Sequence, residues 1–217
     1  MDLAAKRTWA ENEHDRRIAT PAVDGERDDL RLAGIAGASW AGGLAALMLG
    51  DDAAASKLLM RAAEEYRTSW EAAPQGSWGR PIAMLRCRLM AEDVAGARAD
   101  AESTLSAGAL DASGPIGGYC AALALLVLGR GPDAGPIADR IEADGLEPAA
   151  VAQALGALAR GRAGDFAAAR RAVLASFEAR DAFLEDVAVA DTVLVLDALA
   201  RERGIETETL RSALLPE

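Results

Sequence analysis

The sequence predicts an all-α protein of stacked antiparallel helical hairpins, wound into a compact right-handed α/α superhelix. Three observations lead there. Hydrophobic residues make up 51% of the 217 but aromatics only 4%, and Ala, Leu and Gly outweigh the β-branched and aromatic residues that sheets favour. Apolar positions recur at helical rather than alternating spacing. A short turn followed by an alanine recurs four times along the chain.

The elements follow in order. A first helix spans Asp2–Arg17, and the polar stretch Thr20–Asp29 makes residues 1–29 a unit of their own, a helix plus linker. Residues 30–217 form the helical-repeat domain. Its hairpins pair Leu30–Leu49 with Asp52–Ala72, Arg80–Met90 with Val94–Ala107, Ile116–Leu128 with Pro132–Ala143, and Pro148–Arg160 with Asp165–Ala179. Glu185–Arg203 and Thr207–Leu215 then cap the stack, with Gly204 as the stop between them.

The turns are Gly50-Asp51-Asp52, Ala91-Glu92-Asp93, Gly129-Arg130-Gly131 and Gly164-Asp165-Phe166. Glycine ends a helix in the left-handed conformation, and aspartate caps the amides of the next. The alanines that follow, Ala55, Ala97, Ala134 and Ala169, are spaced by 42, 37 and 35 residues, the period of helix-turn-helix solenoids. The second helices carry apolar stripes such as Ala55, Leu58, Leu59, Ala62, Tyr66 and Trp70, or Phe166, Ala169, Val173 and Phe177. Gly164-Asp165-Phe166, with Ala169 three residues on and Ala157 seven before the glycine, resembles the tetratricopeptide repeat consensus; Gly43, Gly50 and Ala55 match at the same offsets. The 92–97 unit lacks the turn glycine, and the 129–134 unit carries Pro132 where that consensus has an aromatic. The resemblance covers about residues 30–180 and implies a groove lined by the first helices.

Those first helices are unusually apolar. Leu32–Gly50 and Ala112–Gly129 carry no charge on any side, and a helix apolar all round is buried all round. Either the solenoid closes its groove, or a partner helix, a second copy or the N-terminal helix fills it. Both stretches approach the length of a membrane span, but Gly, Ala and Ser dilute them and an amphipathic helix follows each. No membrane association is expected. The formal charge of −11, with no basic tract, argues against nucleic acid. Cys87 and Cys120 read as buried, reduced thiols of a cytoplasmic protein.

Chemistry finds little foothold. His14 is the one histidine, in Glu11-Asn12-Glu13-His14-Asp15, and reads as a solvated polar helix end; a di-iron, zinc or Ser-His site would need more. Asp28-Asp29 and Asp51-Asp52 do not complete the Asp-Asp-x-x-Asp motif with which isoprenoid enzymes hold magnesium. Asp191 and Asp197 interrupt an apolar helix and read as its solvent side, or as buried carboxylates. No catalytic residue, metal or cofactor is expected.

The binding candidates are Trp40, Trp78, Arg80, Arg88 and Tyr119. All four tryptophans lie in the first 80 residues. Trp78 precedes a first helix with several cations, and Trp and Arg dominate binding hot spots. Trp78, Arg80 and Arg88 form either a patch for an acidic partner or local packing and ion pairs. The expected function is a non-catalytic protein- or peptide-binding scaffold, in one form an immunity-type or regulatory protein. A small-molecule pocket among the tryptophans and a structural homo-oligomer stand as alternatives.

Overall fold

The computed structural model describes residues 2–21 and 27–217, and within them the chain is all-α. Ten α-helices run in order: α1 (Leu3–Ala19), α2 (Asp28–Met48), α3 (Asp52–Ala72), α4 (Gly79–Met90), α5 (Val94–Ser106), α6 (Gly114–Val127), α7 (Gly131–Ala143), α8 (Ala149–Ala159), α9 (Ala163–Glu178) and α10 (Asp191–Glu202). Each packs against the next, the outcome expected of amphipathic helices joined by short turns. Part of the expected linker, residues 22–26, lies outside the described residues, and its last two, Asp28 and Asp29, already belong to α2.

The four hairpin turns share one hydrogen-bond pattern. The residue after each turn donates its N–H to the carbonyl five positions back: Asp51 to Ala46 at 3.0 Å, Asp93 to Arg88 at 2.9 Å, Arg130 to Leu125 at 2.8 Å and Arg162 to Ala157 at 2.9 Å. This is a Schellman closure, which needs a left-handed residue just before the donor. Gly50, Gly129 and Gly161 supply it with φ of +70°, +73° and +66°. In the second unit Glu92 adopts φ +58° instead, so the missing glycine is replaced by a strained glutamate.

The fourth turn is therefore built on Gly161-Arg162, three residues before the expected Gly164-Asp165. Gly164 lies in the first turn of α9. The residue equivalent to Ala55, Ala97 and Ala134 is then Phe166, and the last spacing is 32 rather than 35. In this register the third and fourth units are alike. Each has Gly-Arg followed by an aspartate, and the pairs Arg130–Asp133 and Arg162–Asp165 close at 2.7 and 3.0 Å. The first two units use capping instead: Asp51 accepts from Ala54 N–H at 3.1 Å and Asp93 from Gly96 N–H at 2.9 Å.

One continuous core runs from Ala10 to Leu215. Small residues let its helices approach. A Cβ on Gly43 would stand 2.7 Å from Leu59 Cγ, so α2 and α3 close at this distance only because glycine is there. α2 is long and apolar enough to cross a bilayer, but 67% of its apolar window is buried inside the protein. It is the central helix of the N-terminal region, packed between α1 and α3.

α1 docks on α2 through polar contacts that its charged sequence makes possible. Arg7 reaches Asp51 at 2.7 Å, and Arg17 bonds the Gly34 carbonyl. His14 was expected in solvent but is buried, with Nε2 2.7 Å from Glu65 Oε1 and Nδ1 3.1 Å from Asp15. The carboxylate on α3 draws the imidazole inward.

α10 packs on α4, α8 and α9, while α4 and α8 each touch α6. The stretch between α9 and α10 carries a single helical turn, Leu184–Asp186, that reaches back to α2. Arg17 holds Glu185 there at 3.3 Å. The C-terminal segment thus packs on the first helices α4 and α8 and reaches α2. Two expectations about that segment fail. The helix foreseen over Glu185–Arg203 begins only at Asp191, because Glu185 and Asp186 take φ of +52° and +54°. Thr207–Leu215 is not helical. So short a helix is marginal unaided, and its backbone is bonded elsewhere: Arg170 donates to the Glu208 carbonyl at 2.9 Å and Ala190 N–H to the Leu214 carbonyl at 2.8 Å.

Candidate functional site

Where the returning segment meets the first helices it leaves a pocket of about 240 Å³. α2 contributes Trp40, α4 Arg86, and α6 Ile116 and Tyr119. Val151 of α8 and Phe177 of α9 add further wall, and Phe183 closes one side from the α9–α10 connection. Trp40 is 6% exposed. Arg180 lies over the Phe177 ring, 3.7 Å from its centroid, as a cation–π contact at the pocket edge.

Arg86, Asp191 and Thr192 form the polar part. Arg86 Nη2 pairs with the Asp191 carboxylate and donates to Thr192 Oγ1 at 3.2 Å. Asp191 opens α10, and Thr192 follows it. Burial works against the Arg86 charge, but Asp191, together with Tyr119, Cys87 and Tyr66, more than offsets it and the guanidinium stays protonated. Its Nε is buried without a hydrogen-bond partner. A buried donor left unpaired costs about 1–3 kcal/mol, so this pair is incompletely satisfied. Burial also raises the Tyr119 phenol above its ordinary range.

The candidates from sequence divide. Trp40 and Tyr119 meet in this pocket. Trp78, Arg80 and Arg88 do not form a surface patch. Trp78 packs against α6, where a Cβ on Gly117 would come within 3.3 Å of its ring. Arg80 binds Asp29 at 2.7 Å and Ser69 at 3.2 Å, tying the starts of α2 and α4 to the end of α3. Arg88 is 5% exposed and holds Asp93 at 2.8 Å, Asp100 at 3.1 Å, and Glu64. An arginine so fully partnered inside the fold offers nothing to a ligand.

Of the two readings for Asp191 and Asp197, solvent side or buried carboxylates, Asp191 follows the second, and Asp197 lies between them at 23% exposed. Asp191 pairs with Arg86, and Asp197 binds Arg170 with a 2.8 Å hydrogen bond. Burial raises the Asp197 carboxyl against the pull of Arg170. Arg86, Phe177, Arg180 and Phe183 were not singled out from the sequence. Asp191 could have pointed to Arg86, since a carboxylate inside an apolar helix requires a cation.

A second polar cluster lies outside the pocket. Glu65 holds Ser39 at 2.6 Å and His14 at 2.7 Å with its two oxygens, and Arg61 donates to Ser39 at 3.0 Å. The carboxylate stands between imidazole and hydroxyl, so His14 is not placed to take the serine proton. Ser39 is fully buried, and the cluster joins α1, α2 and α3. Cys87 and Cys120 are free and buried, and burial pushes the Cys120 thiol up to about 12.

Fold and site together define an all-α protein of consecutively packed helices with an aromatic-walled pocket under its own C-terminal segment. Compared with protein-family models, curated proteins and solved structures, the chain has no match.

Proposed function

We propose that the chain is a non-catalytic binding module, built as a divergent tetratricopeptide-like α/α superhelix, whose ligand enters the aromatic pocket. The observation that carries this reading is occupancy. α10 lies on α4 and α8, and the connection before it reaches α2, so the surface that would take an extended peptide is already covered. The aromatic pocket, about 240 Å³, falls below the roughly 300–1,000 Å³ of sites for drug-sized ligands. It suits a small molecule, or a single side chain or chain end of a protein partner. Four identically closed turns support the repeat architecture. Free, buried cysteines fit a reducing cytoplasm.

The test is to denature the purified full chain and identify released small molecules by mass spectrometry, beside a tryptophan-fluorescence titration with small aromatic compounds. A stoichiometric ligand or saturable binding, lost in Val151→Phe, supports the pocket. Absence of both sinks it.

A second reading has its own observation: the α4/α8 face accepts a helix, since α10 occupies it. A protein partner presenting a similar helix would displace α10. A tagged pull-down with mass determination checks this, and hydrogen exchange must then rise across 191–202 in the complex. A partner bound with α10 still protected would refute displacement.

A further inference from the structure

We infer that the ligand of this pocket is a small carboxylic acid on an aromatic or branched apolar body. The inference rests on the pocket being a binding site and names what it takes. Four side chains argue for the body: Trp40, Tyr119, Phe177 and Phe183 line one space. Exposed Ile116 and Leu184, at 53% and 66%, continue the apolar surface at its mouth.

The head group follows from Arg86. The contacts with Asp191 and Thr192 both fall on Nη2, and 21% of the Arg86 side chain stays exposed where it lines the pocket. Planar guanidinium edges match the two oxygens of a carboxylate. Asp191 neutralises one charge without using the remaining donors, so an incoming carboxylate adds bonds without having to displace its partner. The rim places Arg180 and Glu147 together, one cation and one anion. The lining therefore balances before the ligand arrives, and an acid is favoured over an amine by donor supply rather than by bulk charge. The chain as a whole is acidic, at −11, and would repel an acid that found no such donors.

Two sources share this chemistry: a free aromatic or branched-chain acid, α-amino acids included, and the C-terminus of a peptide ending in an apolar residue. Calorimetry on the full chain separates them. Phenylacetate, indole-3-acetate and L-phenylalanine probe the free acid; N-acetyl-Gly-Phe with a free or amidated C-terminus probes the peptide end. Phenylacetamide and phenethylamine are the neutral and cationic controls.

The expected result is saturable binding of acids and about tenfold or more weaker binding of the amide and amine. Preference for N-acetyl-Gly-Phe over the free acids assigns the peptide source, and the reverse order the small acid. The variant Arg86→Leu/Asp191→Leu removes both charges together and keeps the volume apolar. It should bind phenylacetamide as before and lose the preference for acid. Equal binding of acid, amide and amine to the unmodified chain overturns the carboxylate assignment and leaves the pocket standing. No binding of any probe overturns both. Neither of these two outcomes depends on a variant folding.

Discussion

Arg86 and Arg88 stand two residues apart on α4 and serve its two sides in different ways. Arg88 faces α3 and α5 and meets three carboxylates, Glu64, Asp93 and Asp100, with Asp100 fully buried and also bonded by Arg67. Arg86 faces α10 and meets one carboxylate and one hydroxyl, with a donor left over. Both are charges brought in from water, and both need partners. A guanidinium bonded at all three nitrogens is held as structure; one whose contacts fall on a single nitrogen, beside an aromatic pocket, is where the proposed ligand would bind. Counting partners, rather than charges, separates the two.

The largest effect that would probe this contrast is expected at Arg88. Arg88→Ala leaves Asp100 inside the fold with Arg67 as its only cation, and should lower unfolding stability by about 3–5 kcal/mol in urea titration, as breaking a buried ion pair does. A loss under about 1 kcal/mol would show that this network is no more than surface-like. Arg86 gives the next largest. Arg86→Leu strands Asp191 and should cost about 2–4 kcal/mol, while Arg86→Leu/Asp191→Leu should return close to the original stability. If the double variant is as unstable as the single, the pair holds α10 in place in a way leucines cannot copy.

The smallest concerns an exposed version of the same arrangement. Arg16 and Arg17 both bond Glu13 and hold its carboxyl down to about 2. The folded value lies below the ordinary 4.5, so the stability it contributes is present above pH 4.5 and is lost as pH falls from there through 2. Protection of the α1 amides, measured against their intrinsic exchange rate at each pH, should fall over that window, and Glu13→Gln should weaken this pH dependence. Unchanged protection in α1 between pH 5 and 2 would show that Glu13 does not hold this helix.

Much of the fold was legible because it follows local rules. α3 runs from Asp52 to Ala72 as its apolar stripe and capping aspartate indicate. The fourth turn was misplaced because two glycines, Gly161 and Gly164, satisfy the same local rule. Only the bond from Arg162 to Ala157 decides between them. The tail from Thr207 was misread because its alternative partners, Arg170 and Ala190, are remote in sequence. Half of the pocket's four aromatic side chains were visible in Trp40 and Tyr119. The rest was hidden because exposed cations were sought, whereas the pocket uses an arginine whose partner lies in the last helix. No local pattern joins residue 86 to residue 191.

That separation also has a meaning in time. Asp191 is made 105 residues after Arg86, and at about 5–20 residues per second the ribosome takes roughly 5–20 s to supply it. Until then α4, and α8 once it has been made, have no α10 to cover them. The newborn chain therefore passes through a stage in which the α4/α8 surface faces the cell, and the making of α10 ends it.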